Sequence, residues 1–172
     1  MQRERPELPG QAQDETLALP GPSWADLCAA RREAERNAWD ALAHGRFYNF
    51  GFWAGLACET AQIIGMGLWD EEHPLAAVLQ FAHGINRSLC DPSSVPIVKE
   101  KAQVQILTRM FRIETEALLA LKAGNFETFG LKAASWRKFQ ILMPAAARMP
   151  HPFEGLVLLA QARIKDNIPK ED

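Results

Sequence analysis

The sequence predicts an all-α fold: a helical bundle of two duplicated three-helix units, about six helices, packed around a pseudo-twofold axis. Three observations carry this reading. The first is a repeat, in which Ala41-Leu42-Ala43-His44-Gly45-Arg46-Phe47-Tyr48-Asn49-Phe50-Gly51-Phe52-Trp53-Ala54 recurs as Ala120-Leu121-Lys122-Ala123-Gly124-Asn125-Phe126-Glu127-Thr128-Phe129-Gly130-Leu131-Lys132-Ala133. Seven of the fourteen positions are identical, where an arbitrary pairing gives roughly one, and self-similarity of this kind marks a repeated supersecondary unit. The second is a further pair of landmarks at nearly the same offset, His73-Pro74-Leu75 and His151-Pro152-Phe153. The third is apolar spacing that follows a helical period, with no stretch of alternation bounded by turn dipeptides and hence no expected sheet.

The elements follow in order. Residues 1–22 hold Pro6, Pro9, Pro20 and Pro22 and no periodic apolar face, so they read as a disordered leader to a single all-α domain over 23–172. Within that domain the first unit covers 23–86 and the second 94–168. Ser23 with Asp26 makes a variant capping box, opening a helix that runs to about His44 and is ended by Gly45. A second helix runs from Phe47 toward Trp69. Pro74 suits a first helical turn, and a short helix follows to about His83. Gly84 to Ser94, with Asp91-Pro92-Ser93-Ser94, links the units. A long helix starts near Val95, with Pro96 in its first turn, and carries an apolar stripe through Ile106, Met110, Ile113, Ala117 and Leu121. Gly124 closes it, a fifth helix covers Phe126 to about Met143, residues Pro144 to Pro150 form a break, and Pro152 opens a last helix through about Asn167.

The Gly-x-Phe turn inside each copy resembles the turn of tetratricopeptide helical hairpins. The resemblance covers about a dozen residues per copy; the spacing of the copies is near 79 residues and a third helix intervenes, so no family is assigned. The shared physics is a glycine in a left-handed turn and a phenylalanine stapling two helices.

Composition excludes several function classes. A net charge of −2 lacks the clustered Lys and Arg excess that phosphate backbones require, and pairs such as Arg31-Arg32 and Arg137-Lys138 read as solvated helix faces. Met1-Gln2-Arg3-Glu4-Arg5-Pro6 has no apolar run behind it and does not read as a secretory signal. Three widely spaced cysteines, Cys28, Cys58 and Cys90, fit a reducing, cytoplasmic setting. Phe47 to Trp69 has the length of a membrane span, but Asn49, Glu59, Thr60 and Gln62 interrupt it, which favours a buried helix.

The duplication supplies an internal control. Stepping at 100° around the second helix puts Phe47, Phe50, Ala54, Ala57 and Ala61 on a core side. The opposite side of the second copy carries Glu127, Lys132, Ser135 and Lys138, as a solvated face does. In the first copy those positions are Tyr48, Trp53, Leu56 and Glu59, with Phe52 and Ile63 beside them. Such a face is covered either by the chain itself or by another molecule. Aromatic enrichment favours a protein-binding or self-association surface built from Tyr48, Phe52, Trp53, Leu56, Glu59 and Ile63, and Gly51 and Gly55 permit close approach of a partner helix. The resulting expectation is a small cytoplasmic protein-binding module, an adaptor, inhibitor or antagonist of a larger protein, or a homodimer through the same face. The alternative is an enzyme or ligand-binding protein with a pocket near Glu59.

Chemistry is otherwise sparse. Glu59 in an apolar helix must be paired, protonated or used, with Lys138, Arg109 or Arg112 as partners. His73 and His151 each precede a helix-opening proline and read as helix-start packing. No Glu-x-x-His, His-x-x-x-His or Cys-x-x-Cys pair, no nucleophile elbow and no phosphate-cradling loop occurs. The expectation is therefore no catalytic residue, no metal and no cofactor.

Overall fold

A computed structural model describes residues 20–67, 70, 72–73, 75–85 and 95–167. Residues 1–19 of the expected leader, Trp69, Pro74, Cys90 and the Asp91 to Ser94 link lie outside the described residues. Among the described residues every regular element is helical: α1 (Trp24–Ala43), α2 (Phe47–Ile63), α3 (Ala76–His83), α4 (Lys101–Lys122), α5 (Phe126–Leu142), a 3-10 turn at Ala145–Ala147 and α6 (Glu154–Asp166).

Local chemistry sets the ends. The Asp26 amide donates to Ser23 Oγ at 3.2 Å, and the Ser23 amide donates to the Asp26 carboxylate at 2.9 Å, closing the expected box. At the far end of α1, Gly45 adopts φ 64°, its amide bonding to Leu42 O and that of Arg46 to Ala41 O. Gly124 (φ 73°) repeats this at the end of α4, with Leu121 O and Ala120 O as acceptors. Both are Schellman closures, in which a left-handed glycine turns two orphan carbonyls onto amides.

Two boundaries differ from expectation. Helix α2 stops at Ile63 rather than near Trp69, because Gly65 takes φ 83° and makes the same closure on Gln62 O and Ala61 O. Helix α4 begins at Lys101 rather than near Val95, so Pro96 is not in its first turn. The β-branched Val95, Ile97 and Val98 disfavour helix, and Val98 packs against the Leu107–Met110 cluster from outside it.

Packing joins the two halves. Antiparallel α2 and α5 cross where Gly51 meets Gly130: a Cβ on Gly51 would lie 2.6 Å from Phe126 O, and one on Gly130 would lie 2.5 Å from Phe47 O. Around this crossing Phe50 meets Phe126 edge-on at 5.8 Å and Phe47 meets Phe129 at 6.1 Å. The short helices pack across the chain, α6 on α1 and α3 on α4. Gln161 Nε2 donates to Ala43 O at 2.9 Å, and His83 Nε2 donates to Lys122 O at 3.1 Å. One continuous core holds Leu42, Phe47, Phe50, Ala54, Leu75, Val78, Leu121, Phe126, Phe129, Phe153 and Leu156, drawn from both halves. A second cluster, Leu107, Met110, Ile113, Trp136, Met143 and Met149, fills the far end of the α4–α5 hairpin.

Candidate protein-docking face

The core side of α2 is the expected one, since Phe47, Phe50, Ala54, Ala57 and Ala61 are buried. The 100° step then turns Tyr48, Phe52, Glu59 and Ile63 away from the core, and these four are exposed. Trp53 and Leu56 are half-buried instead. The Trp53 ring packs against the core cluster and meets Phe52 edge-on at 5.1 Å, so it supports the face more than it forms it.

Helix α5 lies flush beside this face and adds to it. Leu131, Ile141 and Leu142 are 52%, 65% and 63% exposed, close to the 60%, 55% and 63% of Tyr48, Phe52 and Ile63. In the sequence this side of α5 reads as a solvated face through Glu127, Lys132, Ser135 and Lys138, and these three apolar residues add to it. A signal was available, because Phe52 with Leu131 and Ile63 with Leu142 occupy matching repeat positions and are apolar in both copies.

The two ends of the α2–α5 face carry opposite charge. Glu127 lies across Gly55, whose Cβ would come 2.9 Å from Glu127 Cγ, and Glu59 follows one turn further along α2. At the other end a groove of about 290 Å³ is lined by Arg46, Tyr48, Asn49, Ala134, Arg137, Lys138 and Ile141. Within it Arg46 bonds Asp40 at 2.5 Å and the Arg137 guanidinium sits 5.5 Å from the Phe47 ring centre.

Glu59 therefore does not pair with Lys138, as the sequence suggested; the antiparallel crossing puts them at opposite ends of the face. Arg112, another suggested partner, bonds Glu116 at 3.2 Å. Glu59 is exposed, so water satisfies a carboxylate that the sequence placed in apolar surroundings.

The remaining titratable groups serve the fold. His73 Nδ1 accepts the Leu75 amide and His151 Nδ1 accepts the Phe153 amide, each at 3.2 Å, so both rings cap the start of a short helix. His151 Nε2–H also donates to Ala133 O at 3.1 Å, and the ring stacks on Phe47 at 4.3 Å. Burial pushes its pKa down to about 4 against the opposing Ala133 bond, with Arg137 adding to the depression. Burial likewise lowers His73, helped by Arg31 and opposed by Asp70. Burial raises the Cys58 thiol to about 12, and Glu59 beside it acts in the same direction.

Two further grooves lie among the described residues. One of about 520 Å³ between α1 and α6 is lined by Arg32, Glu35, Arg36, Trp39, Asp40 and Arg163, with Arg163 stacked 4.6 Å from the Trp39 ring centre. The other, about 260 Å³ between α4 and α5, holds Arg109, Arg112 and Lys132 around Glu116. The Lys132 bond holds the Glu116 carboxyl below its usual range. Glu59 lines none of these three grooves. Among the described residues no group of three or more His, Cys, Asp or Glu side chains is placed to hold a metal ion, and no helix is long and apolar enough to cross a membrane. No known protein family, curated protein or solved structure matches this chain.

Proposed function

We propose that this chain is a protein-binding module, acting as an adaptor, inhibitor or antagonist of a larger protein or as a homodimer, whose contact surface is the outer face of α2 together with the adjoining face of α5. The observation that carries this reading is the exposure of Tyr48, Phe52, Ile63, Leu131 and Ile141 on one side of two adjacent helices. Scattered apolar residues on a surface need no explanation, but a contiguous group is a feature of interaction sites. Aromatic side chains there desolvate a large area at small entropic cost, as interface anchors do. The free thiols of Cys28 and Cys58 accord with a reducing, cytoplasmic setting.

We also read the two halves as copies of one unit related by a pseudo-twofold axis through the Gly51–Gly130 contact. The reciprocal glycine, phenylalanine and short-helix contacts support that reading. It makes 23–172 one domain, because each half covers the other.

The test is a photoreactive amino acid placed singly at positions 48, 52 and 115 in cells that express the chain. Position 115, on α4, is exposed and belongs to neither helix of the face. Protein adducts at 48 and 52 but not at 115 are the expected result. Absence of adducts at 48 and 52, or equal yields at all three positions, refutes the reading.

A further inference from the structure

We infer that the occupant of this face is a second copy of the same chain, docked antiparallel so that the acidic end of one α2–α5 pair covers the basic end of the other. The inference rests on the docking reading above and adds the identity and orientation of the partner.

The argument is charge complementarity along one surface. Glu59 and Glu127 mark one end; Arg46, Arg137 and Lys138 mark the other; Phe52 and Leu131 flank the glycine crossing between them. The ends differ at matching repeat positions, since Glu59 corresponds to Lys138 and Glu127 to Tyr48. The first turns of the two helices differ in the same sense. The α5 N-terminus already has Glu127 in its first turn and an Asn125 cap, whereas the α2 N-terminus has no acidic residue in its first turn and no side-chain cap. Asp40 answers Arg46 at the basic end, which leaves Arg137 and Lys138 there for the two carboxylates that a rotated second copy brings.

A twofold axis lying in the face has two limiting directions, along the helices and across them. With the axis along the helices, basic end meets basic end and acidic meets acidic. With the axis across the helices, each end meets its opposite twice. Like-charge juxtaposition at an interface is strongly unfavourable, so only the second arrangement is selected. It is isologous and closed, the commonest form of soluble oligomer. Combined with the internal pseudo-twofold, it builds a central layer of four helices, two from each copy, with approximate 222 symmetry.

Sedimentation equilibrium of the full chain, at concentrations up to about 100 μM where even weak interfaces assemble, tests this directly. The wild type is expected at twice its 19.2 kDa chain mass. Reversing the basic end (Arg137→Glu with Lys138→Glu) or the acidic end (Glu59→Lys with Glu127→Lys) puts like charges at both contacts. Each variant is expected to self-associate roughly tenfold or more weakly, and an equal mixture of the two to regain the dimer mass as a heterodimer. All four positions are exposed, and helical circular dichroism verifies folding; if the Arg137 change perturbs Phe47, Lys138→Glu alone takes its place. A monomeric wild type overturns the inference. So do variants that remain dimeric, or monomeric variants that fail to recombine. If the wild type is monomeric while position 52 still crosslinks to another protein, the second-copy inference falls and the docking reading stands. If position 52 captures nothing as well, both fall.

Discussion

Replacing Gly130 by alanine should destabilise the protein although alanine is the better helix former. The added Cβ would lie 2.5 Å from Phe47 O, 2.9 Å from Gly51 Cα and 3.1 Å from Gly51 N, all backbone atoms that no rotamer change can move aside. Restoring ordinary contact requires α2 and α5 to separate by on the order of 0.8 Å, a gap that forfeits a quarter to a half of the dispersion energy of the atoms facing across it. Those atoms include the edge-on pairs Phe47–Phe129, Phe50–Phe126 and Phe50–Phe129. Overpacking of this kind costs about 3 kcal/mol at its upper range, and the helix-propensity gain returns about 1 kcal/mol. A net loss of about 2 kcal/mol should lower the thermal midpoint by about 4–8 °C in a domain of this size. The control is Gly55→Ala in α2, where the Cβ meets the movable Glu127 side chain; there the propensity gain should dominate and the midpoint hold or rise. Thermal melts of both variants by circular dichroism decide the matter. If Gly130→Ala is as stable as Gly55→Ala, the helices do not touch backbone to backbone and the account of the crossing is wrong.

Stability should also fall as acid is added, before carboxylates titrate. His151 has a folded value of about 4 against an ordinary 6.5, so the unfolded chain binds its proton first, and stability present above pH 6.5 is lost down to about pH 4. The loss amounts to about 3 kcal/mol, with His73 shifted in the same direction. Denaturant midpoints across this window measure it, and His151→Gln should flatten the slope; an unchanged slope would remove His151 as its source. With its thiol raised to about 12, Cys58 should resist iodoacetamide at neutral pH in the native protein and react once denaturant is added. Rapid native labelling at Cys58, read by peptide mass, would contradict its burial.

Much of the architecture was legible in the sequence because it is written in short-range rules. The Ser23–Asp26 box, Gly45 and Gly124 announce their turns locally, and the 3.6-residue period of Phe47, Phe50, Ala54 and Ala57 identifies the core side without knowledge of what covers it. The end of α2 was not legible, since Ile64, Met66 and Leu68 continue an apolar run while the deciding event is the backbone angle of Gly65. The start of α4 was lost similarly: a proline permitted in a first turn does not require one. On the face, comparison of the two copies found Tyr48, Phe52, Glu59 and Ile63. Angular stepping alone could not tell that Trp53 and Leu56 lie on a half-covered flank, because it contains no information about neighbouring helices. Leu131 and Leu142 match the apolar Phe52 and Ile63 and so do not stand out as differences between the copies, whereas Ile141 replaces Gln62, a difference that runs the opposite way.

The packing of the short helices across the chain has a thermodynamic consequence. The helix that completes the first half, α6, belongs to the second, and α3 performs the same service for α4. A half made alone would expose Phe47, Phe50 and Ala54 on one side of α2 and leave Ala43 O without the Gln161 amide. Neither half then has a native state of its own, and folding must wait for contacts between residues more than a hundred positions apart, such as Gln161 with Ala43, which slows the search. Two separately synthesised halves should be unfolded apart and helical once mixed, behaving as a heterodimer whose two subunits happen to be joined by peptide bonds.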